Sequence, residues 1–209
     1  MCRLVIIAIS LRLSILIMAS INVLTINRQP ENEVDLVKIV EEARSYFPRE
    51  TWNAIIYLGK LRLNHDVKIT IHQKSFGALL FEAVLQKIEK IKDSDRLVSL
   101  LIGITPDPIV ALYHFFDGKN FKKTFYLVHD YVTEKVGIVS LFHLNERISA
   151  KVMAHGLGHN RGLRHHVKPI DLMCSELLRI PKLQVDGFCK VCWQMLTKTQ
   201  MDTEHSSLE

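Results

Sequence analysis

Apolar and polar residues alternate along the 209-residue chain in blocks that predict strands and helices in turn. Ile21–Ile26 predicts a first β-strand, and Val34–Phe47 follows with apolar residues at helical spacing. Leu97–Ile104 is short and continuously apolar, as a strand buried on both faces should be. This alternation predicts an α/β fold, an α+β sandwich with a mixed sheet packed on helices. The remaining predicted elements are strands over Trp52–Leu58, Val67–Ile71, Thr124–Val132 and Val136–Phe142, and helices over Ala78–Ile91 and Arg147–Asn160.

The last quarter of the chain has a different pattern. Beyond Gly162 it becomes irregular, apart from a short helix expected near Gln194, and residues 197–209 form a polar tail. The composition, 48% hydrophobic and 23% charged, is typical of a globular protein with one sizeable core. We therefore predict a single domain over residues 21–196.

Residues 1–20 form an apolar extension with three interpretations. As a membrane anchor, the apolar run 4–19 falls short of about 20 residues and carries Arg12 near its centre. As a secretory signal, it is interrupted by the same arginine. Alternatively, translation begins at Met18, directly before the first strand. A start at Met18, with residues 1–17 assigned in error, has about the same weight as a signal or an anchor. A cytoplasmic location is favoured, with membrane attachment or secretion if residues 1–20 are genuine.

The basic charge of the chain is diffuse. Its net charge is +5 and its isoelectric point is near 9.0, but lysines such as Lys87 and Lys90 alternate with acidic residues such as Glu89. This pattern is typical of a solvated helix face. We find no aromatic–basic interleaving of the kind that stacks bases, so we expect no nucleic-acid partner.

Three histidines are spaced to bind one metal ion. On a helix, His155 and His159 lie four residues apart and therefore on one face. Gly162 readily adopts the left-handed conformation that ends a helix, and a turn there would return His165 to the same point. Three imidazoles with one open position make a zinc site of the catalytic type.

The cysteines favour a metal clip or a redox pair over a set of disulfides. Three of the four are Cys174, Cys189 and Cys192, near the end of the chain, and the last two have C-x-x-C spacing. Such crowding is typical of a metal clip or a redox pair.

The segment from His155 to His165 resembles the metzincin signature H-E-x-x-H-x-x-G-x-x-H. Met173 stands where metzincins have the methionine of the Met-turn, and the chain is most similar to the archaemetzincin family. The resemblance covers about residues 21–196 and implies a metzincin-like zinc peptidase domain with an irregular, zinc-bound C-terminal part. It also implies a peptide or protein substrate bound in extended form along an edge strand, for which Thr124–Val132 is the candidate.

The resemblance also implies a structural zinc site, with one departure from the family pattern. In the family, two cysteines of H-C-x4-C and the C-x-x-C pair bind this second zinc. Here His166 and Asp171 occupy the first two places, and both are legitimate zinc ligands. A mixed site with Cys189 and Cys192 is expected, and Cys174 is an alternative to Asp171.

A second departure lies inside the zinc signature. The family places its general-base glutamate after the first histidine, and this chain has Gly156 there. Glycine accepts no proton, so hydrolysis is expected to be weak or lost while zinc binding survives. No replacement base is evident, and Glu176 is the nearest downstream carboxylate. The alternatives are a zinc-dependent peptide-binding pseudoenzyme and, less favoured, a zinc-stabilised nucleic-acid binder.

Overall fold

Three parallel strands with every side chain buried form the centre of the structure. The computed structural model describes residues 20–27, 36–175, 177 and 185–205. Strands β1 (Ser20–Ile26), β5 (Leu100–Thr105) and β9 (Val136–Ser140) lie side by side. Strand β2 (Ala54–Leu61) extends the sheet in parallel beyond β1, and β8 (Asp130–Val132) pairs antiparallel with β9 at the opposite edge.

Helices cover both faces of this five-stranded sheet. Helices α1 (Leu36–Ser45) and α3 (Glu146–Asn160) share one hydrophobic cluster with one face of β1 and β5. Helix α2 (Phe81–Ser94) packs against the other face. The central strands are apolar throughout because neither of their faces meets water.

A second, four-stranded sheet stands beside the first. It has the order β3 (Val67–Ile71), β4 (Lys74–Leu80), β6 (Ile109–Phe116) and β7 (Phe121–Leu127), with one parallel pair, β4 and β6. The far half of the β6–β7 hairpin is exposed and carries aromatic residues beside lysines, with Phe121 81% exposed. This interleaving of aromatic and basic side chains differs from the diffuse pattern of charge expected from the sequence.

The α/β class is confirmed, and several element bounds differ from the prediction. The helix predicted from Ala78 begins at Phe81, because residues 78–80 belong to β4. Thr124–Val132 is not one strand. The amide of Val128 donates to Ile109 in one sheet, whereas the carbonyl of His129 accepts from Ser140 in the other. The chain therefore changes sheets between these two residues.

The described residues between α3 and Lys190 are irregular as expected, and a longer helix than the one expected near Gln194 follows them. Helix α4 runs Lys190–His205. Within the described ranges no helix is long and apolar enough to cross a membrane. The extension 1–19, the predicted helix start at Val34 and the carboxylate of Glu176 lie outside the described residues.

Candidate metal centre and active site

Helix α3 ends in a turn that brings the third histidine back to the first two. Asn145 caps its start by accepting a hydrogen bond from the amide of Ile148 at 2.9 Å. At its end, the amide of Leu163 donates to Gly158 at 3.0 Å and that of Gly162 donates to His159 at 2.9 Å. This is the Schellman arrangement, and its left-handed residue is Gly162 with φ +78°.

The three imidazoles point their Nε2 atoms at one another. His155 and His165 are 2.9 Å apart at these atoms, His159 and His165 are 2.9 Å apart, and His155 and His159 are 3.2 Å apart. Tetrahedral zinc at about 2.0–2.1 Å from each nitrogen separates its ligands by about 3.3–3.4 Å. The triangle is therefore close to the size that zinc requires.

Backbone carbonyls hold two of these rings from behind. Nδ1 of His155 lies 2.5 Å from the carbonyl oxygen of Leu172, and Nδ1 of His159 lies 3.0 Å from that of Leu163. A proton on each Nδ1 satisfies the carbonyl and leaves the Nε2 lone pair facing inward. Lone pairs this close repel one another unless a cation lies between them, so the residues fit a zinc ion.

The electrostatic environment keeps the three histidines neutral. Burial lowers the pKa of His155, His159 and His165, and the neighbouring imidazoles lower the pKa of the last two further. A neutral imidazole is the form that binds metal.

Met173 packs against α3, the helix that carries His155 and His159, at Gly158. A Cβ on Gly158 would lie 2.6 Å from the sulfur of Met173, so glycine permits this close contact. The methionine is fully buried, and the preceding residue, Leu172, supplies the carbonyl that holds His155. The turn at Met173 thus supports the histidine triangle from below.

His166, Asp171, Cys189 and Cys192 form a second cluster, with all ligand atoms within 4.8 Å of one another. Nε2 of His166 lies 3.1 Å from Oδ1 of Asp171 and 3.5 and 3.9 Å from the sulfurs of Cys192 and Cys189. A shared zinc would place nitrogen and sulfur ligands about 3.5–3.6 Å apart. Cys174 is buried nearby but is not a member of this group.

The chemistry of the second cluster also fits a cation. Burial, the neighbouring Cys189 and the carboxylate of Asp171 raise the pKa of the Cys192 thiol to about 12. A bound cation would reverse this preference and stabilise the thiolate. Asp171 has a further role, because its two oxygens accept hydrogen bonds from the amides of Met173 and Cys189, each at 2.7 Å. It therefore connects the second cluster to the turn at Met173 that supports the histidine triangle.

Solved structures share this arrangement of elements, whereas no family model and no curated protein matches the sequence. Archaemetzincin from Methanopyrus kandleri is 18% identical with a TM-score of 0.57, over 87% of this chain and 96% of that one. The chain has the archaemetzincin fold. A zinc-dependent peptidase from Methanocorpusculum labreanum (strain Z) is 16% identical with a TM-score of 0.54, over 85% of this chain and 100% of that one.

Within this archaemetzincin fold, Gly156 lies where the edge strand β8 packs against helix α3. A Cβ on Gly156 would lie 2.6 Å from Cγ2 of Val132, the last residue of β8. The same valine lies against Gly137 of β9, at 2.9 Å from a Cβ placed there. Val132 therefore occupies the space that the Cβ of any side chain at position 156 would enter.

A carboxylate that is not among the predicted site residues enters the site from this strand. Oδ2 of Asp130 lies 3.9 Å from Nε2 of His155, and its side chain is 16% exposed. Burial raises its pKa to about 6, against the opposing effect of His159. Asp130 is the one acidic residue within Thr124–Val132, and that position in the candidate edge strand was the available signal.

Contacts between Trp52 and Arg161 anchor the C-terminal end of α3. The guanidinium of Arg161 lies 3.8 Å from the centroid of the Trp52 ring, and Nη2 donates to the carbonyl of Thr51 at 2.5 Å. Burial lowers the pKa of Arg161 to about 10. These contacts fix the helix two residues beyond His159.

Proposed function

We propose that this chain is a zinc metallopeptidase in which position 156 supplies no general base, so that its turnover is low. The observation that carries the proposal is the triangle of Nε2 atoms of His155, His159 and His165, with edges of 2.9–3.2 Å. The structural neighbour named a zinc-dependent peptidase supports it. Zinc held there would act as a Lewis acid toward the scissile carbonyl and toward water.

The residues around the triangle position the reactants. The carbonyls of Leu172 and Leu163 orient two ligand rings, and Met173 packs beneath them. In the described part of the chain, β8 is one of the two edge strands of the five-stranded sheet. We propose that an extended peptide pairs with β8 through backbone hydrogen bonds. This edge replaces the longer Thr124–Val132 as the candidate.

A second zinc in the cluster of His166, Asp171, Cys189 and Cys192 is part of the proposal, with a structural role. It would connect the start of α4 to the turn that supports the histidine triangle. The cytoplasmic location remains a prediction from the sequence.

The second candidate function is peptide binding without turnover. Gly156 favours it, because the ligands and the edge strand remain while position 156 offers no proton acceptor. Peptide affinity in the absence of any hydrolysis would select this candidate.

The test measures zinc per chain and hydrolysis of a fluorogenic peptide library. We expect about two zinc ions per wild-type chain. His159→Ala should lose one zinc ion and all hydrolysis, since two imidazoles do not hold a catalytic zinc.

Cys192→Ser is the matched control at the other cluster. It should lose the other zinc ion, lower the thermal midpoint and retain hydrolysis at temperatures where it is folded. A folded wild-type chain without zinc would contradict the whole proposal, and a zinc-loaded chain that cleaves no peptide would leave only the binding function.

A further inference from the structure

The side of the histidine triangle that faces the edge strand carries a carboxylate in place of the missing one. Asp130 is the first residue of β8, in register with Val139 of β9. Its Oδ2 lies 3.9 Å from Nε2 of His155. The carboxylate thus reaches the metal site from the strand, not from the helix that carries the histidines.

Its position relative to Gly156 shows which function it would replace. A Cβ on Gly156 would lie 3.4 Å from Oδ2 of Asp130 and 3.6 Å from its Cβ. A side chain at position 156 and the side chain of Asp130 therefore enter the same small volume beside His155. A carboxylate on the facing strand thus occupies the volume that a carboxylate at position 156 of the helix would enter.

Packing holds Asp130 at this place. Val132, two residues along the same strand and hence on the same face, is wedged between Gly137 and Gly156. The contact requires both glycines, since a Cβ at either position would come within 3.0 Å of Val132. Gly156 thereby lets β8 approach the helix closely enough for the short aspartate side chain to reach the site.

We propose that Asp130 is the catalytic proton acceptor of this site, an assignment that rests on the proposed peptidase function. Oδ2 of Asp130 takes a proton from the attacking water as the water oxygen bonds to the scissile carbonyl carbon. The proton then passes to the leaving amine nitrogen as the carbon–nitrogen bond breaks. Water is consumed, and no oxidant or reductant is needed.

A competing role predicts different measurements. The same carboxylate could serve as a fourth protein ligand, which would close the open position of the metal. A ligand determines metal affinity and the spectrum of the bound metal. A proton acceptor determines the rate and leaves both nearly unchanged.

The test compares the zinc-loaded wild type with Asp130→Asn, which keeps the shape of the side chain. As a matched control we choose Glu134→Gln, which removes an exposed carboxylate from the turn after β8. We expect kcat to fall by about 10²–10⁴-fold in Asp130→Asn with KM little changed. Glu134→Gln should match the wild type.

Two further measurements use no turnover. Zinc affinity, measured by chelator competition, should change by less than about tenfold in Asp130→Asn, below the effect of losing a direct ligand. The visible spectrum of the cobalt(II)-loaded variant should match that of cobalt(II)-loaded wild type. A larger loss of affinity or an altered spectrum would overturn the assignment in favour of a ligand.

The outcomes also separate this assignment from the proposed function. If wild type and Asp130→Asn cleave peptides at equal rates, the assignment of Asp130 is overturned and the peptidase function stands. If the wild type binds zinc and cleaves nothing, both are overturned.

Discussion

At the residue scale, the side chain of Val132 lies between two glycines, Gly137 on β9 and Gly156 on α3. Gly156 costs the helix about 1 kcal/mol relative to alanine, and Gly158 costs a similar amount. The structure accounts for both glycines, because Val132 packs on one and the sulfur of Met173 on the other. Each glycine lowers the stability of the helix but permits a close contact beside the histidine triangle.

This packing changes the expected effect of restoring glutamate at position 156. Gly156→Glu alone should be destabilised by about 1–3 kcal/mol, because its Cβ meets Val132 at 2.6 Å. In an Asp130→Ala background, Gly156→Glu combined with Val132→Ala should raise kcat at least about tenfold, since the new carboxylate then has room beside His155 and no other proton acceptor shares that volume. The measurements are urea unfolding and peptide hydrolysis.

Val132→Ala in the same Asp130→Ala background is the control for this variant. It enlarges the space without adding a carboxylate and should not raise kcat. A single Gly156→Glu variant with wild-type stability would show that the clash at Val132 is relieved in some other way.

Local spacing made the histidine triangle predictable, whereas Asp130 was not predictable from spacing. His155, His159 and His165 lie within one helix and its terminal turn, so their positions follow from helix geometry and from Gly162. Asp130 meets His155 across a strand–helix contact between segments 25 residues apart in the numbering of the chain. Periodicity carries no information about such a contact.

At the element scale, α3 begins one residue before its predicted start and ends where predicted, because Asn145 and Gly162 are strong end signals. Strand β6 was missed, although Asp117-Gly118 between two apolar runs is a hairpin signal. The boundary between β4 and α2 could not be read from the sequence, since residues 78–81 are apolar throughout. The parallel pairing of Leu79 with Ile109 determines it.

The anchor at the end of α3 gives a prediction for stability. Arg161→Ala should lower the free energy of unfolding by about 2–4 kcal/mol, since it removes a charged hydrogen bond and a cation–π contact. Equilibrium unfolding in urea measures this. Arg164→Ala, three residues along and exposed, is the control and should change stability by less than about 0.5 kcal/mol. Equal effects of the two changes would contradict the proposed anchor.

At the scale of the whole molecule, two sheets meet where the chain passes from β7 to β8. His129 lies at this crossing, with Nδ1 3.4 Å from the carbonyl oxygen of Ser140. Burial lowers the pKa of His129, an effect that the contact with Ser140 opposes and His143 reinforces. The unfolded chain therefore binds a proton at this histidine more readily than the folded chain does.

The sign of this shift predicts how stability depends on pH. The contribution of neutral His129 is fully present above its ordinary pKa of 6.5 and is lost as pH falls below that value. In zinc-loaded protein, His129→Gln should therefore lose less stability than wild type between about pH 7 and pH 5. Denaturant unfolding at both pH values measures the difference.

His114→Gln, on the exposed hairpin, is the control and should follow the wild type. An unchanged pH dependence in His129→Gln would show that burial at the sheet crossing does not lower the pKa of this histidine.

The contact between Val132 and Gly156 also has an evolutionary consequence. Two of the four glycine codons become glutamate codons through a single base change, yet that step alone places two side chains in one volume. A path to glutamate that avoids this clash passes first through a smaller residue at position 132 and accepts the cavity that it leaves. The order of substitutions therefore matters, and Val132 on strand β8 makes the glycine of the helix difficult to replace.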